Sequence, residues 1–455
     1  MMKKLIVIIS LILIITPYIF TQQVKVKGRV LSNNTADPVP YANIYLEGEA
    51  IGTCSNIDGH FSFIIPDKYN EKQISISAVG YKSFHANLES FQAKDTFYLT
   101  REVIPIKEVV VTAEPIGAKP IISRVLDSMK KNYVNPVKYT TYSRQELELL
   151  NREKTVYIAE EVSEVLVKND KNKVGIIKSR YNKFPGINDD HESSHYLHSN
   201  TIFSNQFPLE GASFKIKSKS KISSSNKVYL LLKNKNPQRR DSLVEDYAVY
   251  NNYKLFDLYN YELTGRKYYN SDTVHEIKYS PNPDFKNYEK LPSGVIYVNM
   301  EDFGVVYKKT VTSEAELKDR KLGKINQWIG GNKNFTYQFD VKEQYWRKVN
   351  GEYYMRFLKT TNNYTYHDYK NDTHTKYKEI KFTYVTAASD SNIKFSSSVQ
   401  KKLSKTFVFE FQRLKMSFNE DFWENYNYIK VPEKIKEQNF AKEGNREIVK
   451  DDMNN

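Results

Sequence analysis

The stretch that most constrains this chain is Ile51–Phe63, Ile-Gly-Thr-Cys-Ser-Asn-Ile-Asp-Gly-His-Phe-Ser-Phe. Gly52-Thr53, a short polar span, Asp58-Gly59 and the alternating Phe61 and Phe63 describe one extended segment turning tightly into another. Asp-Gly between alternating apolar positions favours a hairpin, because a type I′ turn requires φ > 0 and these residues tolerate it. Around it, Val24–Val30 alternates as a first strand, Asp37-Pro-Val-Pro makes a turn, and Tyr41–Leu46, Gln73–Ala78, Thr96–Leu99 and Glu108–Val111 read as further strands. Short strands with turn signals every eight to twelve residues or so predict a β-sandwich over residues 24–112.

The residues of this segment carry a resemblance. Gly28-Arg-Val, Pro40-Tyr-Ala-Asn-Ile, Gly52-Thr53, Asp58-Gly59-His-Phe-Ser-Phe and Val79-Gly80-Tyr81 follow one another in that order. Together they resemble the carboxypeptidase regulatory-like domain, a prealbumin-like sandwich found ahead of outer-membrane receptors and surface proteins of Gram-negative bacteria. Ile106-Lys-Glu-Val-Val-Val-Thr-Ala resembles the end this domain has before a receptor plug. The resemblance implies an accessory folding and docking module of the cell envelope, without a zinc site or catalysis of its own.

Composition supports a mainly β chain. The 455 residues include 35 Tyr and 24 Phe, types that favour pleated, half-buried surfaces. The formal charge of +14 raises nucleic acid or an anionic membrane as partners. However, the lysines are spread along the chain, and the densest run, Lys215–Lys221, alternates as the wet face of a strand does. The single cysteine, Cys54, excludes an internal disulfide and any CxxC motif. With no basic neighbour in sequence it reads as a half-buried packing residue.

Met1–Gln23 has the build of a secretory signal: Lys3 and Lys4, the apolar run Leu5–Ile15, then Pro17 and a polar end. The run is shorter than the ~20 residues a membrane span needs. No Cys follows it, which argues against a lipid anchor. The expected mature protein is exported, soluble or peripheral to the outer membrane, with no nucleic-acid partner.

Behind the sandwich, about 340 residues are too few for the barrel of a TonB-dependent receptor by the size such barrels require. Glu114–Lys119 reads as linker, and Ala118–Tyr133 as a helix with Ile121, Ile122, Val125, Leu126 and Met129 on one face, so that linker and helix occupy 113–137. From Tyr139 the chain returns to strands: Tyr139–Leu150, Thr155–Val167, Lys227–Lys233, Tyr253–Thr264, Gly294–Met300 with Val305–Val311, and Phe335–Val349 with Glu352–Lys359 around Asn350-Gly351. Phe335, Tyr337, Phe339 and Val341 alternate with Thr336, Gln338 and Asp340, as a sheet with one wet face requires. Lys378–Tyr384 and Thr406–Phe411 add a further pair, Glu420–Tyr428 a short helix docking Phe422 and Trp423, and residues 441–455 a disordered tail. Residues 138–440 thus form a large antiparallel, curved β domain. It resembles a domain of unknown function that follows the regulatory-like module, through Asn132-Tyr133, Tyr142-Ser-Arg, Gly294-Val-Ile-Tyr-Val and Phe422-Trp423. Its long strands are also similar, in pattern alone, to the half-barrel of lipoprotein-carrier proteins.

One string carries chemistry on its face: His191-Glu192-Ser-Ser-His195, with His198 nearby. On a helix, His191 and His195 would hold zinc while Glu192 acted on a bound water. The preceding Phe184-Pro-Gly-Ile-Asn-Asp-Asp and the two serines make poor helix, and nothing specifies a third protein ligand beyond His198 or a distant Glu210 or Glu245. There is no G-x-S-x-G, Walker loop or dinucleotide fingerprint, while Asp189, Asp190 and Asp272 are lone carboxylates and Tyr364 and Tyr366 could stack on sugars. Two expectations follow. The favoured one is a non-enzymatic envelope protein without cofactor, whose sandwich docks to an envelope partner and whose sheet binds a hydrophobic, peptidic or glycan ligand. The alternative is an exported zinc hydrolase using His191, Glu192, His195 and His198.

Overall fold

The computed structural model describes residues 23–102, 117–150, 154–168, 171–183, 259–269, 272–284, 288–319, 333–368, 372–399, 401–403, 422–423 and 426–433. The predicted signal up to Gln22, the strands at 108–111, 227–233 and 406–411, the basic run 215–221, the segment 191–198 and the tail 441–455 lie outside them.

The first unit is the expected sandwich. One sheet sets β1 (Gln23–Ser32) between antiparallel β4 (His60–Pro66) and parallel β7 (Thr96–Leu99). The other runs β3 (Gly52–Cys54), β2 (Asn43–Leu46), β5 (Ile74–Ser77), β6 (Phe84–Ala86). Alternating apolar residues from both sheets meet in one core that includes Val30, Ile44, Phe61, Phe63, Ile76 and Phe97. A short helix, α1 (Leu88–Gln92), closes one end. The Asn87 side chain accepts from the Ser90 N–H, and Phe91 stacks on Phe97 at 4.3 Å.

The Ile51–Phe63 stretch is not a hairpin. Its two strands belong to different sheets, β3 beside β2 and β4 beside β1. The turn itself is as tight as the sequence demands. Asn56 Oδ1 accepts from the N–H of Asp58 at 3.0 Å and of His60 at 2.8 Å. Gly59 sits at φ 82°, where a Cβ would lie 2.4 Å from the Val30 carbonyl oxygen. Asp-Gly fixes the reversal but not the ladder that each arm joins, and here the reversal carries the chain across the sandwich.

Helix α2 (Ala118–Asn132) matches its predicted span to one residue. The second unit is one open antiparallel sheet of eleven strands in the order β11-β12-β13-β14-β15-β16-β17-β8-β9-β10-β18. Its strands are β8 (Val137–Leu149), β9 (Lys154–Lys168), β10 (Lys171–Lys183), β11 (Tyr259–Tyr269), β12 (Asp272–Pro281), β13 (Ser293–Asn299), β14 (Val305–Val311), β15 (Lys333–Val349), β16 (Glu352–Asp368), β17 (Thr373–Ser389) and β18 (Lys401–Leu403). Among the described residues the sheet is not closed into a barrel. Bulges interrupt the ladders between β8 and β9, β9 and β10, β11 and β12, β13 and β14, β15 and β16, and β17 and β8. Each adds twist and bend, which curves a sheet this wide.

In the large sheet three strands, β10, β12 and β18, escape the sequence reading, and β16 and β17 run well past their predicted ends. The added ends are rich in Thr and Asn and are held by backbone ladders to neighbours on both sides. Phe339 also departs from the predicted alternation. A bulge between Tyr337 and Phe339 turns it to solvent, where it is 40% exposed. Near the C-terminus Phe422 and Trp423 dock as expected, but of the described residues within 420–428 only those two are helical, and 426–432 form an irregular strap.

Candidate functional site

The two faces of the large sheet are occupied differently. On one, α2 lays Ile121, Ile122, Val125 and Met129 against Val137, Tyr139, Val165, Trp346 and Met355. Tyr133, just past the helix, donates its hydroxyl to the Val305 carbonyl at 2.9 Å and meets Trp346 edge-on at 6.4 Å.

On the other face an aromatic row crosses six strands. Tyr297, Tyr307, Tyr345, Phe357, Tyr384 and Tyr142 stand directly opposite one another on β13, β14, β15, β16, β17 and β8. The sandwich sits on the middle of this row. Tyr41 stacks on Phe357 at 5.3 Å, and Tyr384 donates to the Thr53 carbonyl at 2.7 Å. The strap covers the end at β8, where Tyr142 meets Trp423 and Tyr428 at 6.4 and 6.1 Å. Asn427 is hydrogen-bonded to both backbone groups of Ile64, so the strap also ties the sandwich down. The sandwich is thus docked on the large sheet of its own chain.

Three buried arginines occupy this junction. Arg144 pairs with Glu146 at 2.8 Å and donates to the Ile429 carbonyl at 2.9 Å. Burial opposes its charge, but Tyr142, Glu146 and Glu160 outweigh that and hold the guanidinium above its ordinary value. Arg347 and Arg356 have no carboxylate partner among the described residues. Arg347 donates to the Glu49 carbonyl and lies 4.2 Å over the Tyr45 ring, while Arg356 donates to Asn43 Oδ1 at 3.1 Å and to the Val385 carbonyl at 2.6 Å. Burial, and then the like charge of Arg356, push Arg347 down to about 9. Arg356 is the extra residue of the β15/β16 bulge, which aims it at the sandwich.

A second apolar row lies on the α2 face, beyond the helix. Tyr337, Tyr364, Tyr377 and Leu149 stand opposite one another on β15, β16, β17 and β8. Neighbouring rings are 5.7 Å apart at both tyrosine contacts. With Leu147, Ala159 and Tyr366 they form an apolar cluster drawn from strands only. Burial, reinforced by the Glu379 carboxylate, pushes the Tyr364 phenol well above its ordinary value, so it stays neutral. Between this cluster and the helix runs a buried polar band. Gln145 Nε2 donates to Glu379 Oε1 at 2.6 Å, Asn362 Nδ2 to Glu379 Oε2 at 3.2 Å, and Lys381 pairs with Glu379 at 3.0 Å. Ser143 and Thr383 hydroxyls are 2.7 Å apart. With three donors around it, the Glu379 carboxylate is a fixed acceptor rather than a base poised for proton transfer.

The sequence-predicted residues His191, Glu192, His195 and His198 lie outside the described residues. Among the described residues no group of three or more His, Cys, Asp or Glu is placed to hold a metal. Asp272 is no lone carboxylate: it accepts from Asn299 Nδ2 at 2.9 Å. Tyr364 and Tyr366 join the apolar cluster, as their position on a strand allowed. Cys54 is buried, and burial raises its thiol far above the reactive range. A Ser-His-Glu cluster that sequence reading missed lies on the sandwich, where Ser75 Oγ and Glu47 Oε1 both meet the same ring nitrogen of His85, Nδ1. A nucleophile and an orienting acid need opposite nitrogens, so this cluster is a structural contact. Gln145, Glu379, Arg347 and Arg356 were also missed, because nothing in their spacing marks them, and Arg144 entered only within the Tyr142-Ser-Arg motif; only the register brings them together. No helix among the described residues is long and apolar enough to cross a membrane.

Solved structures that match the chain include a LolA superfamily protein from Nitrosomonas europaea, at TM-score 0.23 and 9% identity over 60% of this chain and 93% of that one. A putative outer membrane lipoprotein-sorting protein domain from Vibrio parahaemolyticus matches at TM-score 0.24 and 9% identity, over 62% of this chain and 96% of that one. A DUF1329 family protein from Desulfovibrio piger matches at TM-score 0.20 and 10% identity, over 62% and 99%. No curated protein matches the chain. Residues 26–111 match the family described as CarboxypepD_reg-like domain. The turn at Asp58-Gly59 and the two-sheet sandwich around it thus lie within the residues that match the carboxypeptidase regulatory-like domain.

Proposed function

We propose that this is a non-enzymatic, exported binding protein of the cell envelope, whose large sheet holds an elongated apolar or peptidic ligand along the Tyr337–Tyr364–Tyr377–Leu149 row. The carrying observation is the pairing of that apolar row with a parallel band of hydroxyl and amide groups on the same face. An apolar surface with a few placed polar groups is what ligand sites generally present. The rings supply contact area, and the Ser143–Thr383 and Gln145–Glu379–Asn362 groups supply orientation. The sandwich and strap act as a brace on the opposite face and leave this row untouched. In this reading the protein carries no cofactor.

The test is binding of a fluorescent apolar probe, with mass spectrometry of whatever co-purifies from an envelope extract. Tyr364→Ala and Tyr377→Ala are expected to weaken the probe by about tenfold each, the scale of one lost ring in an apolar contact. Unchanged binding in both variants would overturn the proposal. The same preparation tests the zinc alternative, since stoichiometric zinc and a hydrolysis lost in Glu192→Ala would replace this reading.

A further inference from the structure

A second site lies at the far end of the β16–β17 hairpin, on the sandwich-facing side of the sheet but remote from the junction. His367 and His374 are directly opposite one another across the two strands. Their Nδ1 atoms are 2.9 Å apart, with ring centroids at 4.9 Å and an interplanar angle of 69°. The Nε2 atom of His367 lies 2.9 Å from the Thr336 hydroxyl on β15.

Three features of this pair are those of a chelate. The ladder continues on both sides, Tyr366 with Thr375 and Asp368 with Thr373, so the backbone fixes the spacing of the rings. The Thr336 contact orients His367: with Nε2–H donated to the hydroxyl, Nδ1 presents a lone pair toward His374, the arrangement that supports a metal-ligating histidine from behind. The distance also fits. Two nitrogens each about 2.0–2.1 Å from one ion, at a right angle, are about 2.9 Å apart.

We propose that His367 and His374 form a bidentate site for a divalent late transition-metal ion, with Cu²⁺ preferred and water in the remaining positions. Binding replaces the shared proton: each Nδ1 lone pair bonds the metal, and the proton on His374 Nδ1 passes through solvent to its own Nε2, so both imidazoles stay neutral. Two imidazoles with open positions suit the tetragonal geometry of Cu²⁺ better than the closed tetrahedron of structural zinc. No third His, Cys or carboxylate completes a cage among the described residues. The site is independent of the ligand row, which lies on the other face.

The experiment is titration of the full chain with CuCl₂ by calorimetry, with electron paramagnetic resonance to count coordinated nitrogens. One equivalent with a two-nitrogen spectrum is expected. His367→Gln and His374→Gln should each abolish it, and Thr336→Val should weaken it by about tenfold through loss of the supporting hydrogen bond. A triple His191→Ala, His195→Ala, His198→Ala variant should bind as the parent does. No binding by the parent, binding that survives both glutamine variants, or binding lost in the triple variant would each overturn the proposal. Circular dichroism separates loss of the site from loss of the fold, and both histidines lie at a polar hairpin end where glutamine fits.

Discussion

The two covers of the large sheet contrast sharply. Under α2 the contact is dry: Ile121, Ile122, Val125 and Met129 meet Trp346, Tyr139 and Met355, and the polar groups at its rim, such as Asn132 Nδ2 donating to the Asp302 carbonyl at 2.8 Å, are satisfied. Under the sandwich and strap an aromatic cluster of Tyr41, Phe357, Phe382, Tyr142 and Trp423 is interleaved with buried arginines, tyrosine hydroxyls and backbone carbonyls. A dry contact gains from every buried methylene, whereas a polar one recovers little beyond what desolvation costs. The first cover should therefore supply stability, and the second should fix the posture of the sandwich.

The largest test is Trp346→Ala. Its side chain is fully buried beneath the helix, and truncation should cost about 3–5 kcal/mol in urea denaturation. A loss no greater than that of a junction residue would break the contrast. Next is Arg144→Met, which strands the Glu146 carboxylate and removes the cation beside Glu160. Removing one partner of a buried pair costs about 3 kcal/mol or more. The matched variant Arg347→Met removes a buried charge that has no carboxylate partner, and should be neutral to within about 1 kcal/mol for the same reason. Equal losses at 144 and 347 would show that charge pairing does not organise the junction. Gly59→Ala lies between the two. It forces an L side chain into a positive-φ position against the Val30 carbonyl, and should cost about 1–3 kcal/mol while loosening the strap at Asp58, which accepts from the Glu433 N–H at 2.9 Å.

The smallest effect is one of pH. Burial raises the Asp272 carboxyl above its ordinary value, with Lys348 opposing. A raised carboxyl favours the folded state when protonated, so its contribution is fully present below the unfolded value and is lost as pH rises through the folded one. Asp272→Asn should therefore melt slightly higher than the parent at pH 7. That gain should vanish below about pH 4, the ordinary Asp range. A gain that grows on acidification would contradict the sign.

How much of this was legible follows the same division. α2 could be read to within a residue, because Ile121, Ile122, Val125 and Met129 repeat at helical spacing and that spacing is what the dry contact uses. β7 and β14 could be read from apolar runs bounded by turns. The candidate site was legible only at Tyr364 and Tyr366. Gln145, Asn362 and Glu379 are unremarkable on their own strands and become a site through the pairing of β8 with β17, which lies far from it in the chain and is followed in the sheet by β16. The bulge at Arg356 hides its direction in the same way, since one inserted residue reverses what alternation implies.

The sequence by itself determined the turn at Asp58-Gly59, the sandwich that surrounds it, the helix that follows and a β-rich remainder, because each rests on local φ preference or on periodicity within one segment. The tertiary structure decided that the turn crosses between sheets, that the sandwich is docked on its own chain, and which tyrosines and histidines stand opposite one another. Those outcomes depend on register between strands up to two hundred residues or more apart, such as Tyr142 and Tyr384, and no local propensity encodes that pairing.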